Sequence, residues 1–207
     1  MKRTRIKICG ITREQDVASA AAHGADAIGF VFYEPSPRYV ASARAHMLTS
    51  RVPAFVSVVA LFVNPRDDEV RDVIERVRPH LLQFHGDEPA DFCRSFGTPY
   101  IKAARMAPGI DLLQYARDFN DARALLLDAD AQGYGGGGVA FDWAMIPSQL
   151  ALPVVLSGGL TAENVGAAIR SVGPWAVDVS SGVESAKGIK DDARIAAFCN
   201  GVKNADV

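Results

Sequence analysis

Two side chains in this sequence stand where their neighbours would change their hold on a proton. Lys7 precedes Cys9 by two residues in the apolar run Ile6 to Cys9. On a β-strand the two project from one face about 6 to 7 Å apart, and the ammonium would favour a thiolate. Asp128 ends the apolar run Leu125 to Asp128, where desolvation would raise its carboxyl pKa. A thiol that ionises more easily and a carboxyl that ionises less easily supply general acid–base chemistry at neutral pH. Ser157-Gly158-Gly159 and Ser180-Ser181-Gly182 offer a second capacity. Glycine lets backbone N–H groups come close to a ligand and serine adds hydroxyl donors, which suits a phosphate group. Each feature also has an ordinary structural reading, as a buried strand thiol, a helix-capping carboxylate or a pair of turns.

What the chain lacks narrows the chemistry further. Its three cysteines, Cys9, Cys93 and Cys199, are far apart, odd in number and form no C-x-x-C pair, which suits a reducing compartment better than a disulfide framework. The four histidines, His23, His46, His80 and His85, show no metal-ligand spacing, so no metal and no cofactor is expected and side chains must do the work. A formal net charge of -2, without a basic or acidic tail, argues against nucleic acid as a partner. The longest apolar stretch, Val52 to Val63, is interrupted by Pro53 and Ser57 and falls well short of the ~20 residues of a spanning helix. After Lys2, Arg3 and Arg5 the apolar run is too short for a signal peptide, so a cytoplasmic protein with no membrane contact is expected. Gly133 to Gly138 formally fits G-x-G-x-x-G, yet no acidic ribose-binding residue follows at about 20 positions. That segment reads as a mobile loop beside Asp128 able to close over a substrate.

The elements that must position these groups follow from hydrophobic periodicity. Eight short apolar runs, Ile6 to Cys9, Ala27 to Phe32, Val56 to Phe62, Leu81 to Phe84, Tyr100 to Ala104, Leu125 to Asp128, Val154 to Ser157 and Val177 to Val179, read as strands. Segments of helical spacing follow each, beginning near Arg13, Ala41, Asp67, Ala90, Ile110, Trp143, Ala162 and Asp191. Thr12, Asn64 with Pro65, and Thr161 ahead of Glu163 mark helix starts. Near-continuous apolar strands alternating with helices predict a buried parallel sheet. The 207 residues, 49% hydrophobic and 22% charged, show no linker or composition shift, and eight units give about 26 residues each. This predicts an α/β fold, a single (βα)₈ TIM barrel over residues 1–207, with an open doubly wound sheet as the alternative.

In such a barrel the active site lies at the C-terminal ends of the strands. That rule selects Lys7, Cys9, His85, Asp128, Ser157 to Gly159, Asp178 and Ser180 to Gly182. Lys7-Ile8-Cys9-Gly10-Ile11-Thr12 resembles the opening signature of phosphoribosylanthranilate isomerases. Gly24 to Phe32, Ser36 to Tyr39, Leu61 to Asn64, Gln83 to Gly86, Leu126 to Asp128, Phe141 to Trp143, Leu156 to Leu160 and Val177 to Glu184 then follow in the family's order across nearly the whole chain. The resemblance implies a tryptophan-biosynthesis enzyme that performs an Amadori rearrangement on a small phosphosugar as a monomer or homodimer. It implies Asp128 as the acid that protonates the furanose ring oxygen and Cys9 as the base that removes the C2 proton. It places Arg38 on the anthranilate carboxylate, a bidentate grip that guanidinium geometry suits. His85 and Asp178 resemble residues lining the sugar site, and Asp178 could instead neutralise Lys7. Asp130, two residues beyond Asp128, competes for the acid's place. Ala129 stands where the family more often has a hydroxyl residue, and Val139 where a lysine or other polar residue is frequent.

Other phosphosugar barrels would share the phosphate loops but use different chemistry. A histidine-pathway aminoaldose isomerase would carry aspartates on strands one and five, where this chain has Cys9 and Lys102. Indole-glycerol-phosphate synthase is longer and uses a lysine and glutamate array absent here. A catalytically silent phosphosugar-binding barrel would lose the acid and the base, and both are present.

Overall fold

Side-chain alternation along each strand decides what reaches the interior of this fold. A computed structural model describes residues 3–129 and 141–206, in which eight parallel strands close into a barrel in sequence order. The strands are β1 (Arg5–Cys9), β2 (Ala27–Val31), β3 (Ser57–Phe62), β4 (Leu81–Phe84), β5 (Tyr100–Met106), β6 (Leu125–Ala129), β7 (Val154–Leu156) and β8 (Ala176–Val179). The open-sheet alternative is excluded, because β1 pairs with both β2 and β8.

On β1, Ile6 and Ile8 join the large cluster between barrel and helices, whereas Cys9 packs with Val31, Leu61 and Val63 on the inner face. The same period sends Leu125 and Leu127 outward from β6 and leaves Leu126 inward. In the outer layer Phe62 and Phe84 stack at 6.1 Å, and Phe92 meets Phe84 edge-on at 5.9 Å. Such ring pairs contribute about 0.5–1.5 kcal/mol beyond their area. Lys102 on β5 also points into this outer layer, fully buried, with Nζ 3.0 Å from Glu88 Oε2 and 2.6 Å from the Gly86 carbonyl. Lys102 therefore brings no charge into the barrel, whereas Arg105, on the alternate face with Ile101 and Ala103 and in register with Asp128, is turned inward.

Around the barrel lie α1 (Glu14–Ala22), α2 (Ser42–Thr49), α3 (Asp67–Val77), α4 (Ala90–Arg94), α5 (Leu112–Asp118), α6 (Val165–Val172) and α7 (Asp192–Ala205). Helix α3 shows the local logic. Val70, Val73 and Val77 form its buried stripe, Asp67, Asp68 and Glu69 complement the N-terminal dipole, and Arg78 ends it at φ 52°. Its opening is closed by Glu69, which accepts from the Arg66 N–H at 2.8 Å. At α7 Asp191 accepts from the Arg194 N–H at 2.9 Å.

Three sequence expectations are corrected. The segment near Trp143 forms a single 3₁₀ turn, Trp143–Met145, so the described residues contain seven α-helices rather than eight. The helix-start markers sit a little early: Thr12 gives its hydroxyl to the Gly188 carbonyl at 2.6 Å instead of capping α1, and Asn164, not Thr161, precedes α6. After β8 the chain makes an unforeseen antiparallel hairpin, β9 (Glu184–Ala186) and β10 (Ile189–Lys190). No helix among the described residues is long and apolar enough to cross a membrane.

Candidate active site

Lys7 and Cys9 share the inner face of β1, as their spacing requires, but the ammonium has a second partner. Lys7 pairs in register with Asp178 of β8, and its Nζ lies 2.7 Å from Asp178 Oδ1 in a buried ion pair. Burial pulls the Lys7 pKa down, and the charges of Asp178 and Cys9, with hydrogen bonds to both, more than reverse this. For Cys9 the balance opposes expectation. Burial drives the thiol up, Asp178 adds to the rise, and the attraction of Lys7 and Lys190 only partly offsets it. Lys7 is visible two residues from Cys9 in the sequence, whereas the desolvation and the carboxylate facing it come only with the closed barrel. Gly29, in register with Cys9, makes room for both groups: a methyl there would lie 2.9 Å from Cys9 Sγ and 3.2 Å from Lys7 Nζ.

Asp128 sits on the inner face of β6 at the head of a buried chain. Its Oδ2 is 3.0 Å from His85 Nε2, and His85 Nδ1 is 2.9 Å from Gln83 Nε2 on β4. Oδ1 accepts from the Ala129 N–H at 2.9 Å. Gly158, at φ 81°, lies against the carboxylate, where a methyl would come within 2.9 Å of Oδ1. Asp130, Val139 and the Gly133 to Gly138 segment lie outside the described residues.

The six residues expected to hold phosphate divide by role. Gly159, Ser181 and Gly182 line a cavity of about 470 Å³ with Leu160, Thr161 and Arg194, between the loops after β7 and β8 and the start of α6. Ser157 instead turns its hydroxyl toward Asp178 Oδ2 at 3.5 Å, and Ser180 meets Lys190 Nζ through its carbonyl at 3.0 Å and its hydroxyl at 3.3 Å. Arg38 is gripped by Glu184, with Nε to Oε1 at 2.7 Å and Nη2 to Oε2 at 2.8 Å. It rests on Gly10, where a methyl would meet Arg38 Cδ at 2.5 Å. Lys190 also donates to Glu184 Oε1 at 2.8 Å. Burial raises the Glu184 pKa, yet hydrogen bonds and charge from Arg38 and Lys190 bring it below the ordinary carboxylate value.

A basic arm beside two glycine-serine loops, with a thiol and a carboxylic acid in the same barrel mouth, fits an enzyme that isomerises a phosphorylated sugar. Residues 6–201 match the family model for N-(5'-phosphoribosyl)anthranilate isomerase. The chain belongs to that family. An N-(5'-phosphoribosyl)anthranilate isomerase of Dechloromonas aromatica is 60% identical over 204 residues, covering 99% of this chain and 98% of that one. The crystal structure of the Thermotoga maritima isomerase superposes with a TM-score of 0.90 at 40% identity, covering 97% of this chain and 99% of that one. Another isomerase structure, in complex with reduced 1-(o-carboxyphenylamino)-1-deoxyribulose 5-phosphate, gives a TM-score of 0.87 at 38% identity, with 97% and 99% covered.

Within this isomerase fold, sequence reasoning missed Glu184, Lys190 and Gln83 as parts of the site. Gln83 was two residues before His85, a spacing that puts both on one strand face. Glu184 closed a recognised motif, but Lys190 carried no signal, because its partner is defined by the hairpin that turns it back.

Proposed function

We propose that this protein converts N-(5-phosphoribosyl)anthranilate to 1-(2-carboxyphenylamino)-1-deoxyribulose 5-phosphate, with Asp128 as general acid and Cys9 as general base. The observation that carries the reading is the convergence of buried Cys9 and Asp128, from β1 and β6, on one barrel interior at the strand C-termini. Asp128 gives its proton to the furanose ring oxygen as the C1–O bond breaks, leaving an open-chain iminium. Cys9 thiolate then takes the C2 proton, the released pair forms the C1–C2 double bond, and the nitrogen becomes neutral. The resulting enol relaxes to the ketone. Each turnover leaves a thiol and a carboxylate, so one proton must return before the next.

Burial makes the free thiol a reluctant acid, and this helps once the substrate is in place. A sugar hydroxyl that donates to Asp178 disperses its charge and leaves the field of Lys7 on Cys9. Arg38, with Nε and Nη2 fixed by Glu184, keeps Nη1 for the anthranilate carboxylate. Ser157, Gly158, Gly159, Ser180, Ser181 and Gly182 form the phosphate end, three through the cavity and three by shaping it. The isomerase solved with a reduced phosphorylated product supports a small phosphosugar as the ligand.

Loss of substrate fluorescence with purified protein tests the reading. Asp128→Asn and Cys9→Ala should each lose on the order of 10² to 10⁴ in kcat while remaining folded, and Asp130→Asn should stay active. Full turnover by Cys9→Ala would overturn the assignment.

A further inference from the structure

The chain Gln83–His85–Asp128 contains a mismatch. Gln83 is fully buried, its Nε2 faces His85 Nδ1 at 2.9 Å, and its Oε1 has no hydrogen-bond partner among the described residues. A buried amide oxygen without a donor has lost its water and gained nothing in return, so this orientation needs a reason. With Nε2 donating, His85 Nδ1 must be bare. The ring proton then sits on Nε2 and donates to Asp128 Oδ2, the arrangement of a neutral imidazole beside a carboxylate. With the amide turned this way, the chain has no proton to give.

The acid step needs the opposite state. Rotating the Gln83 amide by half a turn places Oε1 against Nδ1, where it can accept only if Nδ1 carries a proton. His85 Nε2 and Asp128 Oδ2 then share one further proton, which Asp128 can pass to the ring oxygen. We propose that Gln83 is a positioning residue whose amide orientation follows, and energetically sets, whether the His85–Asp128 pair holds the transferable proton. This rests on the reading of Asp128 as the acid. The surroundings leave the amide as the adjustable part. On the inner face β3 sets apolar Leu61 in register with Gln83, and the loop after β7 offers Gly158 against Asp128. Of the charged groups, Arg105 on β5 stands in register with Asp128 and pairs with Asp87, Lys102 with Glu88 lies outside the barrel wall, and Asp178 is tied to Lys7.

Nitrogen-15 NMR of the full chain reads the His85 ring directly, with His85→Asn identifying its signals. In the wild type, Nε2 should carry the proton at high pH, and Nδ1 should gain one as the pair loads on acidification. In Gln83→Glu, a carboxylate can only accept from Nδ1–H, so the pair should keep its proton about one pH unit higher, a tenfold change in affinity. In Gln83→Met the imidazolium loses its buried acceptor, and loading should move about one unit lower. The limb of the kcat/KM–pH profile that follows this pair should move with the NMR titration in each variant, with KM little changed. A purely structural glutamine would lower stability or kcat and leave both titrations in place, which would overturn the proposal. If the Met variant does not fold, a wild-type His85 that keeps Nδ1–H at every pH overturns it equally well. An NMR titration that moves while the kinetic limb stays would instead refute Asp128 as the acid, and with it the catalytic meaning of Gln83, leaving its hold on the His85 tautomer intact.

Discussion

Gly29→Ala probes how closely the proposed base is packed. The added methyl would stand 2.9 Å from Cys9 Sγ and 3.2 Å from both Cε and Nζ of Lys7. Non-bonded heavy atoms rest at about 3.5–4.0 Å, so the sulfur must retreat by roughly 0.6 Å and the ammonium by roughly 0.3 Å. Neither has free space, since Cys9 packs against Val31, Leu61 and Val63 and Lys7 is held at 2.7 Å by Asp178. Overpacking of this kind costs about 1–3 kcal/mol, and for a chain of this size each kcal/mol lowers Tm by about 2–4 °C. A 1 Å misplacement of a reacting group costs on the order of 10² in rate, so a shift of roughly 0.6 Å should lower kcat about tenfold. Gly166→Ala in α6 is the control, because its methyl meets nothing closer than Arg170 Nη1 at 3.4 Å and should stabilise the helix by about 0.5–1 kcal/mol. Calorimetry and the fluorescence assay measure both effects. A Gly29→Ala protein with lowered Tm and unchanged kcat would refute Cys9 as the reacting group, and one with both unchanged would refute the packing.

Two further outcomes follow from the charge environment. Burial pushes Cys93 up to about 12 and Cys199 up to about 11, and it raises Cys9 as well, so none should label rapidly with iodoacetamide at pH 7. Labelling of Cys9 should become appreciable only above its ordinary 9.0, with product protecting it because it borders the barrel mouth; labelling at pH 7 as fast as an exposed thiol would contradict the burial balance, as read by mass spectrometry. Glu184→Gln leaves Arg38 and Lys190 without their shared carboxylate and should cost about 3 kcal/mol at pH 7, with KM rising as Arg38 loosens. Because the folded Glu184 pKa lies below its ordinary 4.5, its contribution is complete above that value and lost as pH falls through the lower folded one. Urea unfolding should therefore show the gap between wild type and variant narrowing in acid, and a constant gap down to pH 3 would count against the ion-pair account.

The sequence determined the elements and their faces. Strand periodicity placed all eight barrel strands within a few residues, and the period of two put Lys7 with Cys9 on one face and separated Leu125 and Leu127 from Asp128. These properties are local, since each strand's alternation is written in its own residues. Helix existence near Trp143 was overread, because apolar spacing there is shared by a short 3₁₀ turn. Tertiary structure alone decided the partners. Lys7 meets Asp178 across 171 residues, Arg38 meets Glu184 across 146, and His85 meets Asp128 across 43. Those pairings decide proton affinity, and a pKa is a sum over everything buried beside a group. The sequence named Lys7 as the neighbour of Cys9, but closure of β8 onto β1 supplied the competing carboxylate and the desolvation that reverse the expected shift. In the same way, the spacing of two aligned Gln83 with His85, but only closure of the barrel brought Asp128 of β6 against His85, a relation no spacing along the chain encodes.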